Sequence, residues 1–259
     1  MPKLILVTGG TGNLGSRVVR RLGERDVRVR VLSRRPHPAG EGVEYVAGDL
    51  AEGTGLDEAV AGADVIVHCA SAPRGDAEAA QHLVRAALAM ETKPHLVYIS
   101  VVGVDGVGFG YFRSKLAAER IVVNSGLPWS VLRATQFYDY ILNGTRSMTR
   151  LPVVPVPKDF RCQAIDVEEV ADRLVEVALG PPSGRVPDLG GPEVSTWADM
   201  VRDYLRLTHR RRLVLAIPMP GTRAIRDGGL LVAGQPTGNG GAAGRLTWTG
   251  FLARRFGNG

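Results

Sequence analysis

The first sixteen residues constrain the fold of this chain more than any other stretch. An apolar run from Leu4 to Val7 precedes glycines at positions 9, 10, 12 and 15, and apolar residues then recur with helical spacing. A continuous apolar run is typical of a strand that is buried on both faces of a parallel sheet. Glycines let the backbone approach a pyrophosphate, and the helix that follows begins with unpaired N–H groups. The pattern therefore predicts a strand, a phosphate-binding turn and a helix.

Length and composition limit the other possibilities. The 259 residues are 44% hydrophobic and 22% charged, which is typical of a globular protein with an ample core. No apolar run reaches the roughly 18 residues of a membrane span, and we expect no signal peptide because the first strand begins at once. With Cys69 and Cys162 as the two cysteines, a disulfide framework is not expected, and a reducing, cytoplasmic location fits best.

The charge balance favours an anionic small molecule. The formal net charge is +6, and only 4 of the 32 basic residues are lysine. Such a basic balance suits an anionic cofactor. The dense cluster at 210–212 is interpreted as a solvated helix end, so we expect a small-molecule substrate and no nucleic-acid partner. Because no apolar run is long enough for a membrane span, we expect no membrane partner either. We expect a monomer or a homodimer. His68 lies in an apolar run and is interpreted as a core histidine, and no residue grouping has metal-ligand spacing, so no metal site is predicted.

Strands and helices alternate through the first 150 residues. Further strands are predicted at 27–32, 43–47, 63–70, 95–100 and 127–133, with helices at 56–61, 76–91, 110–126 and 139–150. This alternation implies right-handed crossovers and an α/β fold with a doubly wound parallel sheet, the Rossmann architecture. Ligands bind such sheets at the carboxyl ends of the strands. The small residues Ala70 and Ser71 at the end of the fourth strand would let a cofactor lie across that edge.

The chain changes character after residue 150. Prolines at 152, 155 and 157 exclude a central strand there, because proline lacks the donor that a sheet ladder needs. Shorter strands are predicted at 161–165, 185–189 and 214–217, helices at 166–179, 195–207 and 248–256, and a glycine-rich loop at 238–244. We expect an NAD(P)-binding Rossmann domain at 1–150 and a small C-terminal α/β substrate region at 151–259, packed on it as one structural unit.

The end of the second strand predicts which dinucleotide binds. This position faces the adenosine ribose, where a carboxylate favours NAD and an arginine accommodates the 2′-phosphate of NADP. Here the strand ends in Ser33, Arg34 and Arg35, with no carboxylate among them. A guanidinium matches phosphate geometry, so the sequence predicts NADP(H) rather than NAD(H).

A tyrosine and a lysine follow the fifth strand with a spacing of four. Tyr111 and Lys115 lie in a predicted helix, so both fall on one face about one turn apart. An ammonium near a phenol favours the phenolate, which makes the phenol a usable acid or base toward a carbonyl or an alcohol. The alternative interpretation is an ordinary pair on the surface of a helix.

Three motifs together resemble one family. The glycines run G-x-x-G-x-x-G from Gly9 to Gly15 behind Thr8, Tyr111 and Lys115 form Y-x-x-x-K, and residues 165–172 read I-D-V-E-E-V-A-D. This set resembles the short-chain dehydrogenase/reductase superfamily in its extended and atypical, NmrA-like branches. The resemblance implies that Tyr111 and Lys115 are the catalytic pair, and that Lys115 also holds the nicotinamide ribose.

The resemblance extends to further site residues. It places Asp49 and Leu50 beside the adenine, and the segment 134–137 beside the nicotinamide, although Ala134 replaces the usual proline. It also implies a hydroxyl near the end of the fifth strand, and Ser100 fits if the register holds; a shift of one residue would turn it away. The cofactor-binding residues expected are Thr8, Gly9, Thr11, Gly12, Asn13, Leu14, Gly15, Ser33, Arg34, Arg35, Asp49, Leu50, Ala70, Ser71, Lys115, Thr135 and Phe137.

The leading functional prediction is hydride transfer between NADPH and a small carbonyl substrate. Two alternatives stay open at the level of sequence. One is a sugar-nucleotide epimerase or dehydratase that keeps its dinucleotide bound, and the other is a non-catalytic, NmrA-like redox sensor. Tyr111 and Lys115 favour an enzyme, whereas the register of Ser100 decides whether a third catalytic group is present. The substrate itself cannot be read from the sequence.

Overall fold

A computed structural model describes residues 2–35, 37, 42–72, 75–233 and 244–257. Most of the predicted glycine-rich loop at 238–244 lies outside these residues. The strands are β1 (Lys3–Thr8), β2 (Val27–Ser33), β3 (Val43–Ala47), β4 (Val65–His68), β5 (His95–Val101), β6 (Trp129–Ala134), β7 (Val153–Pro157), β8 (Arg161–Cys162), β9 (Gly184–Arg185), β10 (Ser195–Thr196) and β11 (Leu213–Ile217). The helices are α1 (Asn13–Gly23), α2 (Leu56–Val60), α3 (Asp76–Ala89), α4 (Gly110–Val123), α5 (Tyr138–Met148), α6 (Val167–Leu179), α7 (Trp197–Leu207), α8 (Arg223–Arg226) and α9 (Trp248–Phe256).

The central sheet has the predicted doubly wound order. Seven strands lie in the order β3-β2-β1-β4-β5-β6-β9, and the described pairings within this sheet are parallel. The strand order reverses between β1 and β4, which are hydrogen-bonded neighbours in the sheet. In an open α/β sheet a ligand binds at the carboxyl ends of the strands beside such a reversal. The Rossmann architecture predicted from the sequence is therefore confirmed.

The pairing of β1 follows from its composition. Leu4 to Val7 are all buried, and β1 pairs with β2 on one side and with β4 on the other. A strand flanked on both sides and covered on both faces has no solvent-facing position for a polar side chain. The turn after β1 therefore opens at the middle of the carboxyl edge, next to the end of β4.

The chain divides by its contacts into two compact units. The first comprises residues 1–100, 108–133 and 170–187, and the second comprises 101–107, 134–169 and 188–259. The first unit contains the central sheet with α1 to α4, and its core on the α2–α4 side centres on residues such as Leu83, Leu96 and Tyr98, each fully buried. The functional division predicted at residue 150 stays a prediction.

The second unit carries small sheets and its own aromatic core. β7 pairs in parallel with β11, and β8 pairs antiparallel with β10. Tyr138, Trp248 and Phe251 stack closely in the core formed by α5, α7 and α9. As predicted, the proline-containing segment is no central strand: β7 lies in a separate two-stranded sheet.

Two local expectations differ from the structure. The strand predicted at 185–189 is shorter, and β9 joins the central sheet beside β6 because Gly184 and Arg185 pair with Ser130 and Val131. The helix α4 ends at Val123 and is followed by its C-cap Asn124, so the predicted helix end at residue 126 is wrong. Gly126 instead has a φ of 78° in the turn leading to β6, a conformation that glycine adopts without strain.

Candidate functional site

The turn after β1 is closed by glycines that the fold itself requires. Gly9 has a φ of 67°, and a Cβ added there would lie 2.6 Å from the backbone nitrogen of Ala70. A Cβ on Gly15 would lie 2.1 Å from the carbonyl oxygen of Gly9. Both distances are far below a van der Waals contact, so side chains at these two positions would break the turn. The β1 turn thus packs closely against the end of β4.

Gly12 differs from these two because an added Cβ would meet one described atom within 4 Å, the Gly9 carbonyl oxygen. It precedes α1 at the N-cap position, its added Cβ would come no closer than 3.2 Å to a protein atom, and it is exposed together with Thr11 and Asn13. No side-chain hydrogen bond caps α1, and its first turn contains no acidic residue. The helix start therefore keeps its positive dipole end and its N–H donors available for an anion. Leu14, by contrast, is buried and packs α1 onto the sheet.

The end of β2 presents the two predicted arginines to solvent. Arg34 and Arg35 are exposed, whereas Ser33 is buried and its Oγ accepts a hydrogen bond from the Arg35 backbone N–H at 3.2 Å. His37, which the sequence analysis did not select, lies here too. Its Nε2 is 3.0 Å from Ser33 Oγ, and its ring stacks on Tyr45 at 4.7 Å. The surface that would meet an adenosine ribose thus carries two guanidinium groups and an imidazole.

Asp49 and Leu50 follow β3, at the same edge of the sheet. The Asp49 backbone pairs with Thr54, and its carboxylate accepts a hydrogen bond from the Ala51 N–H at 2.8 Å. Leu50 is partly buried against the core, and its carbonyl oxygen lies 2.8 Å from Nδ1 of His82. The Asp49 side chain therefore shapes its own turn, while Leu50 offers apolar surface at the edge.

Thr8 and His68 form a buried pair beneath the turn. The Thr8 hydroxyl lies 2.6 Å from Nδ1 of His68, and both residues are almost completely buried. Burial, followed by the charge of Lys115, lowers the pKa of His68 to about 3. The histidine is therefore neutral near pH 7, which confirms its interpretation as a core residue. Because the Thr8 hydroxyl is occupied by His68, a cofactor contact at this position would come from the backbone.

Lys115 is buried and paired with a carboxylate that the sequence analysis missed. Its side chain is 3% exposed, and its Nζ lies 3.5 Å from Oδ2 of Asp76, the first residue of α3. Asp76 also accepts hydrogen bonds from the Ser71 hydroxyl at 3.0 Å and from the Ala72 N–H at 2.6 Å. Burial lowers the pKa of Lys115, and the Asp76 carboxylate opposes that shift. The end of β4, α3 and α4 are thus tied together at one ion pair.

Tyr98 forms a platform under the lysine. Lys115 Nζ lies 4.6 Å from the centre of the Tyr98 ring, a cation–π distance, and the ring also stacks on His68. Burial raises the pKa of Tyr98 well above its usual range, and the charges of Asp76 and Tyr111 raise it further. Tyr111, one turn before Lys115 on α4, is 42% exposed.

Ser100 lies two residues after Tyr98 in β5. Alternate residues of a strand share a face, so Ser100 lies on the same face of β5 as Tyr98. That face carries Lys115, because Tyr98 contacts the lysine directly. Ser100 is 4% exposed, and its Oγ has no hydrogen-bond partner among the described residues. Ser100 therefore lies on the face of β5 whose Tyr98 contacts Lys115, and its catalytic role stays a prediction.

Tyr111 and Lys115 are placed by the helix that was predicted for them. α4 begins at Gly110, so Tyr111 occupies the first turn and Lys115 the second, on one face. The Tyr111 ring meets Phe112 edge-on at 5.6 Å. This helical face is thus exposed at Tyr111 and buried at Lys115.

The second unit holds the segment that follows β6. Thr135 is buried, and its hydroxyl donates a hydrogen bond to the Gln163 carbonyl oxygen at 2.6 Å. Phe137 is the N-cap residue of α5 and forms a β-bridge with Ile165. Between them, both polar atoms of the Gln136 side chain are buried without a hydrogen-bond partner among the described residues. A buried amide without a partner is costly, so Gln136 is a further candidate for contact with a ligand.

Three candidate functional residues, two in the first unit and one in the second, were not predicted from the sequence, for identifiable reasons. Asp76 had a usable signal, since it is a carboxylate at a helix start directly after the end of β4. His37 and Gln136 had none, because their positions depend on contacts with Ser33 and on the burial of the segment after β6. In the described ranges no three His, Cys, Asp or Glu residues group as a metal site, and no helix is long and apolar enough to cross a membrane.

Two curated proteins are similar to this chain in sequence. It is 31% identical over 214 residues to the (4-alkanoyl-5-oxo-2,5-dihydrofuran-3-yl)methyl phosphate reductase of Streptomyces griseus subsp. griseus. The alignment covers 80% of this chain and 74% of the relative. It is 29% identical over 246 residues to the ceramide reductase of Caulobacter vibrioides, and this alignment covers 84% of this chain and 74% of the relative.

Structural and family comparisons agree with the geometry. The NADPH-dependent quinone oxidoreductase of Escherichia coli, solved with NADPH, has a TM-score of 0.82 at 18% identity, over 97% of this chain and 99% of that one. This similarity shows the fold. A family model described as NAD(P)H-binding matches residues 9–181, which include the glycine turn, the end of β2 and α4. A short-chain dehydrogenase/reductase superfamily protein of Agrobacterium tumefaciens shares the fold, with a TM-score of 0.74 at 18% identity over 97% of this chain and 95% of that one. Because the family match spans more than half of the chain, the protein belongs to the NAD(P)H-binding family.

Proposed function

We propose that this chain is an NADPH-dependent reductase of a small carbonyl substrate. The observation that carries the proposal is the face of β5 shared by Ser100 and Tyr98, which Lys115 contacts, together with Tyr111 one helical turn before Lys115 on α4. A hydroxyl without a partner, a buried ammonium and an exposed phenol are the groups that polarise a carbonyl and deliver a proton to its oxygen.

The residues present fit a dinucleotide. The open position at Gly12 and the uncapped start of α1 suit a pyrophosphate, and Arg34 and Arg35 suit a ribose 2′-phosphate. When bound, the reduced nicotinamide supplies the hydride. On the protein side, the turn from Gly9 to Gly15 holds the phosphates by backbone N–H groups, and exposed guanidinium groups select NADPH over NADH.

Tyr111 and Lys115 have different roles in the proposal. The Tyr111 hydroxyl donates its proton to the oxygen of the substrate carbonyl, and the Ser100 hydroxyl donates a hydrogen bond that orients that oxygen. The Lys115 ammonium stabilises the phenolate that remains on Tyr111 and binds the nicotinamide ribose. Asp76 positions Lys115, because it accepts from Ser71 and Ala72 and thereby fixes the carboxylate that the ammonium faces.

The relatives support a reductase over the alternatives. Both curated relatives are named reductases, one of a phosphorylated butenolide and the other of a ceramide, and these substrates are properties of those proteins. For this chain we propose a small-molecule carbonyl substrate, no nucleic-acid partner and a monomer or homodimer. A reducing, cytoplasmic location is supported by the two free cysteines, Cys69 and Cys162.

The proposal is tested by following NADPH oxidation with a panel of aldehydes, ketones and quinones. We expect NADPH to bind in calorimetry, and at least one class of carbonyl to be reduced at a rate above the background oxidation of NADPH. NADH should serve less well at equal concentration. Tight NADPH binding without turnover on any member of the panel would contradict the reductase and favour the dinucleotide sensor.

A further inference from the structure

The two-stranded sheet of the second unit exposes an apolar face. In the register of β11 and β7, Leu213 pairs with Val153, Leu215 with Pro155 and Ile217 with Pro157. The opposite face carries Val154 and Val156, which are fully buried in the core beneath α7. A half-buried sheet normally places polar residues on its outer side. This sheet is apolar on both sides.

The outer residues are well exposed. The exposed fractions are 64% for Leu213, 49% for Leu215, 37% for Ile217 and 40% for Val153, and Met219 just beyond the strand is 46% exposed. Scattered apolar residues are normal on a protein surface, whereas a contiguous group marks a site of interaction. We call these five residues the apolar strip.

Arginines adjoin the apolar strip at the start of β11. A cleft of about 730 Å³ is lined by Arg202, Arg206, Arg210, Arg211 and Arg212, and by Leu213 of the strip itself. Arg202 and Arg206 are paired with acidic residues one turn away on α7. Arg210, Arg211 and Arg212 are exposed and form no ion pair with any residue that the structure describes. Three uncompensated positive charges therefore lie directly beside exposed leucines.

We propose that the apolar strip and Arg210–Arg212 form a docking surface for an anionic lipid membrane. Arginines near an anionic bilayer surface gain electrostatic energy, and adjacent leucine, isoleucine and methionine side chains gain by entering the interface. A nucleic acid offers phosphates for the arginines and no apolar phase for the strip, so lipid fits the whole surface better. The expectation of no membrane partner rested on the absence of a spanning segment, and surface binding needs none. The proposal is independent of the reductase activity.

The test is co-sedimentation of the purified protein with vesicles of phosphatidylcholine alone or with 30% phosphatidylglycerol, at low and high salt. We expect binding to the anionic vesicles, loss of binding at high salt and weak binding to phosphatidylcholine alone. Arg210→Gln with Arg211→Gln should lower the partition coefficient more than about tenfold, since each arginine near the surface contributes about fivefold. Leu213→Ser with Leu215→Ser should lower it as well, because both side chains are solvent-exposed in the free protein.

The matched control is Arg254→Gln with Arg255→Gln, which removes two exposed neighbouring arginines from the end of α9. This variant should bind anionic vesicles like the parent protein. Equal loss in both arginine variants would show general charge attraction and overturn the proposal, as would equal binding to both kinds of vesicle. The proposal also fails if the parent protein binds no vesicle. A dimer, or a complex with duplex DNA, that Leu213→Ser with Leu215→Ser abolishes would then identify a different partner for this surface.

Discussion

The buried pair of Lys115 and Asp76 makes a quantitative prediction about stability. Asp76→Asn keeps the size of the side chain and removes the charge that faces the ammonium. Both partners are less than 5% exposed and lie 3.5 Å apart, so the lysine would be left buried without a counter-charge. Breaking a buried pair from one side costs about 3–5 kcal/mol, and we expect about 3 kcal/mol here because the asparagine can still accept from the Ala72 N–H.

Denaturant unfolding at neutral pH measures this loss directly, and a thermal scan should show the melting temperature lower by roughly 6–12 °C. The matched control is Glu176→Gln, which breaks the exposed pair with Arg173 and should change the free energy of unfolding by less than about 0.5 kcal/mol. Combining Asp76→Asn with Lys115→Met should recover part of the loss, because the unpaired charge is gone.

The pH dependence gives this prediction a second readout. Burial lowers the pKa of Lys115 in the folded state, so above that pKa the unfolded chain binds more protons than the folded chain. Stability then rises with pH toward the ordinary lysine pKa of about 10.4, and the rise should be larger in Asp76→Asn. If Asp76→Asn unfolds at the same denaturant concentration as Glu176→Gln, the ion pair does not hold α3 against α4 and the reasoning is refuted.

Three further perturbations follow from the site. Arg34→Ala with Arg35→Ala should weaken NADPH binding by about 1.5–3 kcal/mol and leave NADH binding unchanged in calorimetry; equal losses would contradict the 2′-phosphate assignment. Gly15→Ala should destabilise the protein, because its Cβ would lie 2.1 Å from the Gly9 carbonyl oxygen. Gly12→Ala, whose Cβ would lie 3.2 Å from the same oxygen, should stay folded by circular dichroism and lose dinucleotide affinity. Because the pKa of His68 is lowered to about 3, the parent protein should lose up to about 1.4 kcal/mol of stability per pH unit as pH falls from about 6.5 toward 3. Unfolding of His68→Gln across that range should lack this slope, and an unchanged slope would sink the assignment.

Local patterns made the dinucleotide-binding part of the fold predictable. The apolar run of β1, the glycines after it and the helical spacing of α1 are continuous in the sequence, and each alone favours the element that forms. The alternation of strands and helices then leaves few topologies for the sheet. For the same reason Tyr111 and Lys115 could be placed on one face of α4 from their spacing alone.

The remaining features depend on contacts between distant residues. Asp76 precedes Lys115 by 39 positions, and the two meet because α3 packs against α4. The orientation of Ser100 depends on the register of β5, which became readable only through the contact of Tyr98 with Lys115. The strand β9 that pairs with β6 has only two residues, which are too few to show the alternating pattern of a strand in the sequence.

The measurement that tests the account most directly is single-turnover reduction of an accepted carbonyl by Tyr111→Phe, beside Tyr140→Phe as the control. Tyr140 is 64% exposed on α5, so the control removes an exposed phenol outside α4. We predict that Tyr111→Phe binds NADPH as the parent does, while its rate falls about 10²–10⁴-fold, the usual contribution of a positioned acid. Tyr140→Phe should keep the parental rate. A Tyr111→Phe protein that reduces the carbonyl at the parental rate would contradict the assignment of Tyr111 as the proton donor.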